Sequence, residues 1–79
     1  MKEYPWNEGH GSARCRVQRA GTTYSLYVGD LPDIRAAVWF LRKDRRIVAS
    51  GIAADMSEAL AAVEQALENW VQRIWLVYS

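Results

Sequence analysis

The sequence predicts an α+β domain in which an antiparallel sheet of three to four strands carries one long C-terminal helix on one face. Two observations support this fold class. Between residues 14 and 52, short apolar or alternating runs are separated by turn residues, as in strands joined by hairpins. After residue 55, apolar residues recur every three to four positions, which is the spacing of one helix face. With 79 residues, of which 51% are hydrophobic, the chain can build one such core.

The first segment, residues 1–13, is rich in Gly and polar residues and contains Pro5. We expect it to form a flexible or surface-draped arm, with Tyr4 and Trp6 docking on a single domain formed by residues 14–79. The segment also lacks the apolar core of a secretory signal.

The first predicted hairpin joins "RCRVQRA" to "TYSLYVG". In its first strand Cys15 and Val17 face the core, and they alternate with Arg14, Arg16 and Gln18, which face outward. A turn follows, in which Gly21 is free to adopt a positive φ.

In the second strand of this hairpin Tyr24, Leu26 and Val28 face the core. Tyr27 lies on the opposite face together with Thr23 and Ser25. The sequence "GDLPD" is then expected to break the chain, because Pro32 cannot join a central ladder.

The third and fourth strands are predicted at "RAAVWFLR" and "RIVASGI", joined by a basic turn. The run at residues 38–41 is apolar without alternation, which is typical of a strand covered on both faces. One helix covers only one face, so the second cover is expected from the N-terminal arm or from a second molecule. The pattern leaves open whether Trp39 or Phe40 faces the helix.

The last element is a helix predicted from about residue 56 to about residue 73. Asp55 is positioned to cap it, and Glu58 completes a capping box three residues later. The segment "WLVYS" at residues 75–79 either prolongs the helix or turns back. The apolar stripe consists of Leu60, Val63, Leu67, Trp70, Val71 and Ile74, and the polar side consists of Glu58, Gln65, Glu68, Asn69 and Gln72.

Several classes of function have no support in the sequence. Phosphate-binding glycine loops, His-Glu-x-x-His and Cys-x-x-Cys are all missing, so we expect a non-enzyme with no catalytic residue, cofactor or metal. A single cysteine, Cys15, fits a cytoplasmic location and a buried strand position, with an intermolecular disulfide as the alternative. No apolar run is long enough to span a membrane.

Charge is divided unevenly along the chain, although the net charge is only +1. Residues 1–46 hold nine Lys/Arg against five Asp/Glu, or +4, whereas residues 47–79 hold one against four, or −3. The basic half supplies a candidate partner-binding surface, made of an outer sheet face and a hairpin tip. Its predicted residues are Arg14, Arg16, Tyr27, Phe40, Arg42, Lys43, Arg45 and Arg46.

Two hypotheses fit this surface. Arginines and aromatics on an open sheet neutralise phosphates and stack on bases, which favours direct nucleic-acid binding. The same residue types are preferred at the centres of protein interfaces, which favours a protein partner or a homodimer. The low net charge places the protein partner first. A homo-oligomeric structural phage protein is a further alternative.

The segment "VWFLRKDRRIVASGIAADMSEALAAVEQAL", residues 38–67, resembles small phage and prophage proteins in which a Trp-bearing strand, a charged turn and a second strand precede an Ala-rich helix. Small proteins of this shape include anti-CRISPR proteins. The resemblance implies an inhibitor in the bacterial host cytoplasm that binds a type I CRISPR-Cas effector complex or a Cas subunit. Such an inhibitor would block access of target DNA or recruitment of a nuclease.

Overall fold

A computed structural model describes the backbone of residues 4–78 and the side chains of residues 4–73. Five strands are followed by one helix, with a 3-10 turn at Pro32–Ile34 between the third and fourth strands. The elements in chain order are β1 (Asn7–Gly9), β2 (Ser12–Arg19), β3 (Thr22–Leu31), β4 (Ala36–Lys43), β5 (Arg46–Ala53) and α1 (Met56–Tyr78).

The strands form one antiparallel sheet in the order β1-β2-β3-β4-β5, so every strand pairs with its neighbour in sequence. The α+β class and the helix on one face are confirmed, but the prediction of three to four strands is wrong. The additional strand is β1, a three-residue strand that pairs with the start of β2. It lies within the segment expected to be an arm, where a glycine-rich sequence gave no periodic signal.

The core lies between the sheet and α1. Alternate residues of β2, β3 and β4 face the helix, as predicted for the first hairpin, and the buried helix residues are Ala59, Val63 and Leu67. Leu60, Trp70 and Val71 of the predicted stripe pack around them, whereas the side chain of Ile74 lies outside the described residues. The buried residues of the sheet are Ala13, Cys15, Val17, Tyr24, Leu26, Val28, Ala37 and Leu41.

The register of β4 decides which aromatic residue faces the helix. Trp39 packs against the core, on the same face as Ala37 and Leu41, and its cross-strand partner is Gly51. Phe40 therefore lies on the opposite face, where it pairs with Tyr27.

The first predicted turn is confirmed, and the second begins later than predicted. At the first, Ala20 and Gly21 have φ of 52° and 77°, the pair of positive angles required by a type I′ hairpin. The expected break at "GDLPD" comes later than predicted, because β3 continues through Gly29 to Leu31 and pairs with β4 as far as Ala36.

The N-terminus of α1 is capped as predicted. The backbone N–H of Glu58 donates to Asp55 Oδ1 at 2.9 Å, and Glu58 Oε2 accepts from the backbone N–H of Ala54 at 3.2 Å. This arrangement is a capping box displaced by one residue at its second bond. At its other end the helix runs to Tyr78, so "WLVYS" prolongs it as far as that residue.

Tyr4 and Trp6 dock on the helix side of the sheet. The Trp6 indole donates to Glu64 Oε2 at 2.7 Å, and the Tyr4 hydroxyl donates to Glu68. The Glu68 carboxylate also lies 3.5 Å from Arg19 Nη2, so this residue of the predicted polar side is half-buried between the helix and the sheet. Burial, together with the Glu68 carboxylate, raises the pKa of Tyr4 to about 12.

Cys15 is buried at 4% exposure. Burial also raises the pKa of its thiol, with a smaller contribution from Glu64. Both effects leave little reactive thiolate at neutral pH, which argues against an intermolecular disulfide.

Candidate functional site

The face of the sheet opposite α1, here called the open face, is not covered by any element of the described chain. Because side chains alternate along each strand, it carries the residues between those of the core. Cross-strand pairing arranges these residues in rows that run across the sheet.

The central row, here called the aromatic row, contains one residue from each strand. The pairs Asn7–Arg14, Arg14–Tyr27, Tyr27–Phe40 and Phe40–Ser50 connect all five strands. The Tyr27 and Phe40 rings stack with centroids 6.0 Å apart and an angle of 28° between their planes. The Arg14 guanidinium carbon lies 5.7 Å from the Tyr27 centroid. Tyr27 is thus held between a cation and a second ring, an arrangement that limits its rotamers.

The absence of a side chain at Gly29 makes room for the Tyr27 ring. A Cβ at position 29 would lie 2.8 Å from the Tyr27 hydroxyl oxygen and 3.0 Å from its Cε2. The phenol ring therefore lies along its own strand, over a residue without a side chain. Any larger residue at position 29 would displace it.

Phe40 is supported on one side only. Tyr27 stacks beside it on β3, whereas its neighbour on β5 is the small, exposed Ser50. The ring is half-exposed, and its cross-strand partner on β5 carries only a small side chain.

A second row, here called the basic row, lies two residues from the aromatic row along β2, β3 and β4, and three residues from it along β5 because of a bulge. It contains Arg16, Ser25, Arg42 and Ile47. Arg16 and Arg42 are exposed and are separated by one strand, which places their Cα atoms about 9–10 Å apart. The two rows together line a shallow depression.

No acidic residue occupies a strand position in these rows. Arg14, Arg16 and Arg42 have no acidic partner among the residues that the structure describes. By contrast, the capping and arm-binding carboxylates lie on α1, on the other side of the sheet. The open face is therefore basic, whereas the helix side combines these carboxylates with the cation Arg19.

On the other flank of the aromatic row lies an apolar row, formed by Gly29, Val38 and Ile52. Val38 is half-buried and Ile52 is 67% exposed. The second cover expected for the 38–41 run is not supplied by Tyr4 or Trp6, because these side chains pack on the helix side.

The structure divides the predicted binding residues between two places. Arg14, Arg16, Tyr27, Phe40 and Arg42 share the depression on the open face. The tip residues lie apart from it and line a second hollow on the helix side, together with Val48 and Trp70. These tip residues are Lys43, Arg45 and Arg46, with Asp44 between them.

The sequence pattern did not indicate three features of these surfaces. Ser50 and Ile47 join the open face because of the pairing of β5, which has a bulge near Val48. Trp70 was predicted as a core residue, but it also lines the tip hollow, and its indole nitrogen is buried with no acceptor among the described residues. The bulge could not be located from apolar periodicity, because it interrupts that periodicity.

The described residues contain no cluster of His, Cys, Asp or Glu that could hold a metal ion. Within the same part of the chain, no helix has the length and apolar character needed to cross a bilayer. Comparison of the chain with family models, with curated proteins and with solved structures finds no match.

Proposed function

We propose that the protein binds single-stranded nucleic acid on its open face. The observation that carries the proposal is the aromatic row, in which Arg14, Tyr27 and Phe40 lie side by side on an exposed sheet face. Stacking of bases on aromatic side chains beside a basic track is the common mode of binding single strands.

Each residue has a distinct role in this proposal. Phe40 stacks on a base through its open side, next to Ser50. Tyr27 supports the Phe40 ring and is itself held by Arg14. Arg16 and Arg42 neutralise backbone phosphates on the flank of the aromatic row.

Single strands fit this surface better than a duplex does. In a duplex the faces of the bases are stacked on each other, so the Tyr27 and Phe40 rings would meet only sugar and phosphate. Binding through the open face therefore favours unpaired bases.

The low net charge of +1 argued against nucleic-acid binding when only the sequence was considered. The local charge of the open face answers that argument. A ligand at the open face meets three arginines that have no acidic partner among residues 4–73. Local potential, rather than net charge, governs the approach of an anion. The acidic residues of α1 lie behind the sheet, where the sheet itself separates them from the ligand.

The same charges oppose a homodimer formed face to face. Two open faces packed together would bring two copies of Arg14, Arg16 and Arg42 into one interface with no carboxylate to pair with them. Burying unpaired like charges costs several kcal/mol.

The second candidate is the inhibitor predicted from the sequence, which binds a CRISPR-Cas effector complex. The apolar row favours it, since Val38 and Ile52 offer nothing to a phosphate but suit an apolar protein surface. In this case the arginines would meet an acidic patch of the effector, and Tyr27 and Phe40 would anchor the interface.

Fluorescence anisotropy with a labelled oligothymidylate tests the first proposal. We expect saturable binding at low salt and a loss of about 1–3 kcal/mol, or about 5–150-fold in Kd, for Phe40→Ala. Phe40→Tyr should retain binding because it keeps the aromatic face. Phe40→Leu is the matched control for bulk, and it should lose nearly as much affinity as Phe40→Ala.

The alternative results are equally distinct. If the oligonucleotide does not bind at low salt and a purified type I effector complex does, the second candidate replaces the first. Equal binding by Phe40→Leu and the wild-type protein would rule out stacking as the source of affinity.

A further inference from the structure

The outer edge of β5 (Arg46–Ala53) is an unguarded strand edge. The sheet order ends at this strand, so one side of its backbone has no ladder partner within residues 4–78. Monomeric proteins usually protect such an edge with charges, Pro or a very short strand. After Arg46, residues 47–53 have the sequence IVASGIA and contain neither a charge nor a proline.

The opposite edge of the sheet is protected in the usual way. β1 has only three residues, and they include Glu8 and Gly9. The bulge of β5 lies at the end near the hairpin tip and leaves residues 49–53 in regular pairing with β4. The unguarded edge is therefore a property of one strand only.

Two large apolar side chains stand on this edge strand. Ile47 is 53% exposed and Ile52 is 67% exposed, and both lie on the open face. Among the side chains that the structure describes, they are two of three large hydrophobic residues that are strongly exposed, the third being Ile34 in the 3-10 turn.

The charges at the two ends of β5 indicate which kind of strand could pair with its free edge. Arg45 and Arg46 lie at its start, whereas Asp55 and Glu58 follow its end, and all four are exposed. An antiparallel pairing of this strand with itself places the basic end of each copy beside the acidic end of the other. A two-fold axis produces this contact between basic and acidic ends twice, once at each end of the paired strands. The partner that fits the edge of β5 is therefore a second copy of the same strand.

We infer that the protein forms a two-fold dimer through the edges of β5. The two five-stranded sheets then join into one continuous sheet, with both helices on one side and both open faces on the other. A register that pairs the two Gly51 residues brings Ile52 of each copy into diagonal contact on the open face. This inference does not depend on what the open face binds.

Sedimentation equilibrium of the full chain tests the dimer. The wild-type protein should approach the mass of two 9.0 kDa chains as concentration rises. Ile52→Lys should weaken association at least tenfold, because it places two cations at the diagonal contact. Ile34→Lys changes an isoleucine of similar exposure, 63%, away from β5 and should leave association unchanged.

Hydrogen exchange provides the second measurement, and it needs no variant. Backbone amides within residues 47–53 should gain protection as protein concentration increases, whereas those of β1 should not. A monomer mass at millimolar concentration, or equal weakening by the two lysine variants, would overturn the inference.

Discussion

Gly51→Ala tests the packing that places Trp39 on the helix face. The backbone at Gly51 does not have a positive φ, so alanine is sterically acceptable to the chain itself. The added methyl carbon, however, would lie 2.7 Å from Trp39 Cε2 and Cζ2 and 2.8 Å from Nε1. Ordinary carbon contacts are about 3.5–4.0 Å, so the indole must move by most of an ångström.

The expected magnitude follows from two opposing effects. Overpacking costs about 1–3 kcal/mol, whereas replacing glycine by alanine in a strand stabilises by about 0.5–1 kcal/mol through the unfolded chain. Because the new methyl group would lie within 3.0 Å of three indole atoms, we take the upper part of the overpacking range, about 2–3 kcal/mol, and expect a net loss of about 1–2 kcal/mol in the free energy of unfolding. In a domain of this size the loss corresponds to a fall in Tm of about 5–15 °C.

Urea unfolding of Gly51→Ala, Trp39→Phe and the double variant measures this effect. The smaller phenyl ring should accept the new methyl group, so the two changes should couple favourably by about 1 kcal/mol. If Gly51→Ala is as stable as the wild-type protein, or more stable, Trp39 does not pack over Gly51 and the assigned faces of β4 are wrong.

Three further predictions concern the turns, the cap and the docked N-terminal residues. Ala20→Gly should stabilise by about 0.5–1 kcal/mol in urea unfolding, because Ala20 has a φ of 52°, where a side chain is strained. Asp55→Ala should cost about 0.5–2 kcal/mol through loss of the helix cap, and Asp55→Asn should cost less in the same assay. The raised pKa of Tyr4 means that its bond to Glu68 stabilises fully below pH 10 and is lost as pH rises toward 12. The difference in Tm between the wild-type protein and Tyr4→Phe should therefore shrink over this pH range, and a constant difference would contradict the assignment.

Much of the fold follows from local patterns in the sequence. Alternation in β2 and β3 predicts which residues are buried, and the predicted roles of Cys15, Val17, Tyr24, Leu26 and Val28 are confirmed. The helix follows equally from its apolar period and its capping residues. These features depend on neighbours within a few positions, which a single sequence contains.

Features that depend on pairing between strands could not be predicted in this way. β1 has no hydrophobic period, and it exists because β2 offers it an edge. All four residues at 38–41 are apolar, so hydrophobicity does not distinguish the positions that face the helix from those that face outward. The faces of Trp39 and Phe40 follow only from the register with β3 and β5.

The same limit applies to the candidate site. Composition indicated the arginines and aromatics of the open face, and period-two spacing placed Arg14, Arg16 and Tyr27 together. The separation of the tip residues Arg45 and Arg46 from that face depends on the direction in which the hairpin bends, which composition does not contain.

The salt dependence of oligonucleotide binding tests the central claim most directly. For single strands the slope of log K against log salt concentration is about −0.7 for each phosphate neutralised. Replacing both Arg16 and Arg42 by Gln should therefore reduce the steepness of the slope by about 1.4. Arg73→Gln removes an exposed arginine from the helix and should leave the slope unchanged. Equal slopes for the double variant and Arg73→Gln would contradict the assignment of the open face as the binding surface.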